Sequence, residues 1–167
     1  MQITKNTSRE EALKLGKECS RCGNCCSHDS GYMLEEDIKR IAEHLQIPEK
    51  ELKEKYLKKL KLFNTTIHKP ITKTQPFGEC VFYKEKACTI QDVKPLHCRI
   101  GSCSEHGEEL TVWFKLNFLV NQNDPDSIRQ WNVYLESGGK NIPGGELEEL
   151  VPDKETLKKV MDYRIIR

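Results

Sequence analysis

Aromatic residues make up only 7% of this 167-residue chain, and hydrophobic residues 37%. A chain this lean buries a modest core, which a bound metal would stabilise further. No run approaches the roughly 18–20 consecutive apolar residues of a membrane-crossing helix, so direct membrane insertion is not expected. The opening residues, Met1 to Asn6, carry no apolar stretch of the signal-peptide kind, which points to a cytoplasmic protein. Charge of one sign is also missing: 27 basic residues stand against 26 acidic ones, a net +1. That balance provides no global field for nucleic acid. The pairs Gly138-Gly139 and Gly144-Gly145 do not sit between a strand and a helix, so they form no nucleotide loop. Neither an internal repeat nor a long linker divides residues 1–167, and one domain is expected.

What the chain does have is cysteine, eight in all. Cys19, Cys22, Cys25 and Cys26 fall within one octet, and Cys80, Cys88, Cys98 and Cys103 follow later. Four disulfides in an exported protein would use the same number. The missing export signal and the poor geometry of bonds between near neighbours weigh against that reading. Soft thiolates select zinc, copper(I) or iron–sulfur clusters. Cys19, Cys22 and Cys25, spaced three apart, let one loop wrap three sulfurs around one centre, as in the Cys-x2-Cys-x2-Cys run of bacterial ferredoxins. Structural zinc more often uses separated Cys-x2-Cys knuckles. Adjacent side chains tend to point apart, so Cys26 is expected to serve a second centre with Cys80, Cys88 and one of Cys98 or Cys103. All eight cysteines are candidate ligands, enough for two four-cysteine sites.

The rest of the chain reads as mostly α with a small β-hairpin, a small irregular cysteine-rich metal-binding domain. Residues 8–17 predict a helix opened by a Ser8/Glu11 capping box, and residues 34–45 predict another from their apolar spacing. Pro48 opens an expected helix over 48–62, whose alternating lysines and glutamates read as a solvated face. Residues 64–79, with Pro70 and Pro76, predict an irregular arm with one or two short strands. Residues 80–90 predict a hairpin with a cysteine on each arm and a turn at Lys84-Glu85-Lys86. Residues 91–99 suggest a turn or a single helical turn. Residues 110–120 fit a strand and a helix alike, and are read as a helix. Helices are expected at 126–137, stopped by Gly138-Gly139, and at 154–163, capped by Asp153. The tail 163–167 reads as a docking strand or a frayed end. The cysteine core would then span 17–105, with a helical extension at 106–167.

Three histidines lie near the cysteines. His97 and His106 flank them, and His28 follows the first cluster. Eight thiols already suffice, so these read first as solvent or supporting histidines, with ligation by His97 or His106 left open. Arg21, Lys94 and Arg99 also lie near the sulfurs. They read equally as cations tuning a negative cluster or as surface charges.

The octet Cys19-Ser-Arg-Cys22-Gly-Asn-Cys25-Cys26 resembles the signature of the CxxCxxCC family of zinc- or iron-chelating domains, also called YkgJ-like cysteine cluster proteins. Gly78-Glu-Cys80, Cys88-Thr-Ile90 and Lys94-Pro95-Leu-His-Cys98-Arg99 resemble its second half, with Lys94 where the family usually has arginine. The likeness covers about residues 17–105. A flagellin lysine methylase carries a similar cysteine domain associated with an iron–sulfur cluster, so the resemblance tilts the metal toward iron. The function expected is an iron–sulfur protein, with two [4Fe-4S] sites, that transfers electrons or senses oxygen or redox state while docked on a larger enzyme complex. An activity of its own is not expected. A zinc-stabilised interaction module is the alternative, followed by an accessory factor in methyl transfer or maturation. The lysine, glutamate and isoleucine content suits an anaerobe.

Overall fold

The computed structural model describes residues 2–16, 19–27, 31–75, 77–101 and 104–162. Eight helices are named here, α1 (Arg9–Leu15), α2 (Glu35–Leu45), α3 (Glu49–Lys55), α4 (Leu96–Arg99), α5 (Gly107–Phe118), α6 (Pro125–Glu136), α7 (Leu147–Leu150) and α8 (Lys154–Met161). Two antiparallel hairpins interrupt them, β1 (Leu57–Leu62) with β2 (Thr65–Pro70), and β3 (Tyr83–Lys84) with β4 (Ala87–Cys88). The architecture is thus mostly helical with small hairpins.

Apolar side chains gather in two clusters. The first joins α5, α6, Leu150 and Val160 to Ile3 and Ala12 near the start of the chain, and takes in Ile67, Leu96 and Ile100. The N-terminal segment is therefore threaded into the C-terminal helices. Trp113 donates its indole N–H to the Thr7 carbonyl at 2.7 Å, and the Lys5 amide donates to the Pro143 carbonyl at 2.8 Å. The second cluster joins Met33, Ile38, Ile41 and Ala42 to Leu52, Leu57, Phe82 and Ile90.

Local rules explain most elements. Ser8 and Glu11 close a capping box on α1, and Asp124 caps α6 with Pro125 in its first turn. In α5, Leu110, Val112, Trp113, Phe114 and Leu116 are all buried. A helix enclosed on several sides is apolar nearly all round, which is why its sequence fits two periods.

The expected helix over 48–62 is corrected. It stops at Lys55, and residues 57–62 form β1. Phe63 and Asn64 both adopt left-handed backbone, with φ 50° and 57°, and link Leu62 to its partner Thr65 in a two-residue turn. That turn geometry matches strand twist. One face of the hairpin puts Leu60, Leu62 and Ile67 against the first cluster, while Leu57 enters the second. The packing is satisfied by a sheet between two cores and overrides helix propensity. Glu85 and Lys86 form a second such turn, with φ 51° and 62°. The last helix ends at Met161, short of the expected 163, and α7 adds a short helix to those the sequence predicts. The tail 163–167 lies outside the described residues.

Candidate metal centre

Three segments carry the described thiols. The first is the loop 19–27, which ends in a short 3-10 turn over Cys25–Ser27. The second is the region 80–90 around the β3–β4 hairpin. The third is α4. The loop is fastened to the second segment by backbone, since the Cys80 amide donates to the Cys26 carbonyl at 2.7 Å. It is also pressed onto that hairpin at Gly23, where a Cβ would collide with the Tyr83 hydroxyl. With φ at +75°, only glycine suits this position.

Helix α4 is placed by its opposite face. Leu96 and Ile100 lie one turn apart and are buried in the first cluster. Cys98, midway between them, is turned the other way, toward the remaining thiols. The start of α4 is held by Asp37, which is 1% exposed. Its carboxylate accepts from the Leu34 amide at 2.9 Å, the Leu96 amide at 3.2 Å and the Arg40 guanidinium at 2.8 Å. Arg40 also donates to the Lys94 carbonyl at 2.9 Å. Asp37 thus couples α2 to the Cys98 segment. The sequence signal for this role is an aspartate at the third position of a helix beside an apolar stripe.

The structure brings Cys25, Cys26, Cys80, Cys88 and Cys98 into one electrostatic neighbourhood. Burial pushes the Cys80 thiol up to about 11, with Cys88 and Cys25 adding to the rise. Cys98 is raised well above the ordinary thiol range by burial and by Cys25, Cys80 and Cys88. Burial and the charges of Cys19 and Cys25 also raise Cys88. Cys26 is raised strongly by a hydrogen bond with the Cys25 thiol, then by burial and by Cys25, Cys88 and Cys80. The expectation that Cys25 and Cys26 point apart is therefore corrected. The 3-10 turn lets both face the hairpin group. Cys19 reaches the group through Cys88. Cys22 is exposed and borders a separate surface cavity with Tyr83 and Glu79. Cys103 and His28 lie outside the described residues.

Backbone N–H groups are aimed at three of the sulfurs. The Arg21 amide donates to Cys19 Sγ at 3.3 Å. The Phe82 amide donates to Cys80, and the Ile90 amide to Cys88. Each donor lies two residues beyond its cysteine, and Phe82 and Ile90 are anchored in the second cluster. Such bonds favour the thiolate, the form that ligates metal. Lys94 acts on Cys88 and Cys98 in the same sense. Among the described residues, no three metal-capable side chains already stand at the spacing of ligands on one ion. The donor chemistry nonetheless fits a thiolate-bound metal, through soft sulfurs from three anchored segments with amides directed at them.

His97 does other work. Its Nδ1 accepts from the Gly31 and Tyr32 amides at 3.2 and 3.3 Å, and its ring packs against Tyr32 and Phe114. Burial lowers its pKa to about 4, which keeps Nδ1 an acceptor. His97 clamps the chain after the first cysteine loop onto α4. Beside it, Gly31 has φ +97°, and a Cβ there would meet Cys98 Sγ at 3.3 Å. His106 starts α5 and lies 3.5 Å from Glu105.

The family model CxxCxxCC, described as "putative zinc- or iron-chelating domain", matches residues 18–118. The chain belongs to this family. The match runs past the cysteines through α5, the helix whose Phe114 supports His97. Metal binding is the property that the family shares with the thiol cluster. The uncharacterized protein MJ0661 of Methanocaldococcus jannaschii is 32% identical over 109 residues, covering 63% of this chain and 56% of that protein. The chain thus spans little more than half the length of that relative. No solved structure matches. Among the described residues, no helix is long and apolar enough to cross a membrane.

Proposed function

We propose that the thiols hold iron–sulfur clusters, and that the chain works as an electron-transfer or oxygen- and redox-sensing partner of a larger enzyme complex in the cytoplasm. The observation that carries this reading is the number of converging thiols. Cys25, Cys80 and Cys88 act on Cys26 and on Cys98 alike, which gathers five thiols, one more than a tetrahedral zinc takes. With Cys19, Cys22 and Cys103 the thiols suffice for two [4Fe-4S] clusters. Clusters of this kind supply one-electron transfer at potentials set by charge, hydrogen bonds and exposure.

The protein's own residues would set those conditions. The Arg21, Phe82 and Ile90 amides donate to sulfur, Lys94 offsets negative charge, and the second apolar cluster limits water at Cys80 and Cys88. Because backbone from the loop 19–27 bonds directly to Cys80, loss of metal would loosen the seam between the loop and the hairpin. A change at that seam would carry oxidation to altered docking.

Anaerobic purification followed by iron, acid-labile sulfide and zinc analysis tests the proposal. A brown protein with equal iron and sulfide, at four or more per chain, is expected, and dithionite should bleach its visible absorption. A colourless, air-stable protein with stoichiometric zinc would replace this reading with the zinc-stabilised interaction module.

A further inference from the structure

Beside the thiols lies a cavity of about 640 Å³, within the range of small-molecule sites. Among the described residues its wall carries the cations Arg21, Arg40, Lys94 and Arg99, the carboxylate of Asp92 and the thiol of Cys19. The cations come from three separate segments, the cysteine loop, α2 and residues 94–99, which run into and through α4. Their convergence is a product of the fold and not of a charged run in the sequence.

Arg40 is held in place. One of its guanidinium nitrogens is bound by Asp37 at 2.8 Å and by the Lys94 carbonyl at 2.9 Å. A guanidinium fixed in this way loses little freedom when it meets a ligand. Arg21 has left-handed backbone, φ 59°, and its amide is engaged by Cys19 Sγ. Arg40 already has the Asp37 carboxylate, whereas the like charges of Arg21, Lys94 and Arg99 around a concave space repel one another unless an anion joins them. The lining is predominantly polar, which suits an anionic ligand better than an apolar one.

We infer that this cavity binds a small-molecule oxyanion, a carboxylate or phosphate compound, against Arg21, Lys94 and Arg99 on the frame set by Arg40. The site adjoins the proposed metal centre through Cys19, but anion binding does not require that the metal be iron. A competing account is that the cations serve only to balance thiolate charge, since Lys94 acts on Cys88 and Cys98.

Calorimetric titration of the anaerobically purified chain, with its metal content measured in parallel, separates the two accounts. The probes are inorganic phosphate and citrate at constant ionic strength, compared with chloride. Saturable binding of at least one probe is expected at millimolar concentration or below. Loss of one charge-assisted contact in Arg99→Gln or Lys94→Gln should weaken it about tenfold. Lys61→Gln, an equal charge change on the exposed part of β1, should leave it unchanged. Binding of phosphate alone would assign a phosphate ligand, and binding of citrate alone a carboxylate. The inference is overturned if neither probe binds saturably up to about 10 mM. It is also overturned if the cavity variants bind as tightly per metal-loaded chain as the parent. Zinc in place of iron, with binding intact, would overturn the iron–sulfur reading and leave this one standing.

Discussion

Replacing Asp37 by alanine tests whether the thiol segments are held together in the way described. The side chain is 1% exposed and receives the Leu34 amide, the Leu96 amide and the Arg40 guanidinium. Alanine would leave two backbone donors and a cation without their acceptor. Arg40 is 38% exposed and regains water when its partner is lost, so the cost comes chiefly from the two buried amides, about 1–3 kcal/mol each without full additivity. An expected loss of about 4 kcal/mol is a large share of the roughly 5–15 kcal/mol that holds a domain folded. For a chain of this size each kcal/mol moves the thermal midpoint by about 2–4 °C, so a fall of about 8–16 °C follows. Thermal unfolding under anaerobic conditions, with metal content measured before each scan, is the assay. Asp37→Asn retains one acceptor and should fall between the two. A double-mutant cycle with Arg40→Ala should show a coupling of about 1 kcal/mol or more. A fall of less than about 3 °C in Asp37→Ala, with metal content unchanged, would refute the view that Asp37 joins α2 to the Cys98 segment.

Gly31→Ala forces a Cβ to 3.3 Å from Cys98 Sγ at a φ of +97°, and should cost about 1–2 kcal/mol in denaturant unfolding with a measurable loss of bound metal. Lys86→Gly, at a left-handed position of the β3–β4 turn with φ 62°, should stabilise by up to about 1 kcal/mol, read as a higher urea midpoint. The His68 pKa is lowered by burial and then by Lys53, against a smaller opposing effect of Glu35. The unfolded chain therefore binds this proton more readily. The stabilising contribution of neutral His68 is complete above about pH 6.5 and falls as the pH drops through the lowered folded value. His68→Gln should flatten the stability profile in that window, as followed by urea midpoints between about pH 5 and 7.5.

The sequence by itself determined the chemistry. Eight cysteines, four of them in one octet, named the donor atoms and the family, because ligand identity is a local property of residue type and spacing. It also determined most helices, since capping residues and apolar periodicity act within a few residues of one another. It could not determine where 48–62 changes from helix to strand. That choice was made by two apolar clusters on either side of the β1–β2 hairpin, which local propensity does not register. Nor did it foretell that Cys25 and Cys26 face the same group, since the 3-10 turn that aligns them is fixed by contacts with Cys80 and Tyr83. Asp37 and the cationic cavity also belong to tertiary structure. Arg21, Arg40, Lys94 and Arg99 are separated by up to 78 positions in the chain, and only burial of α2 and α4 against the two clusters brings their charges to one space.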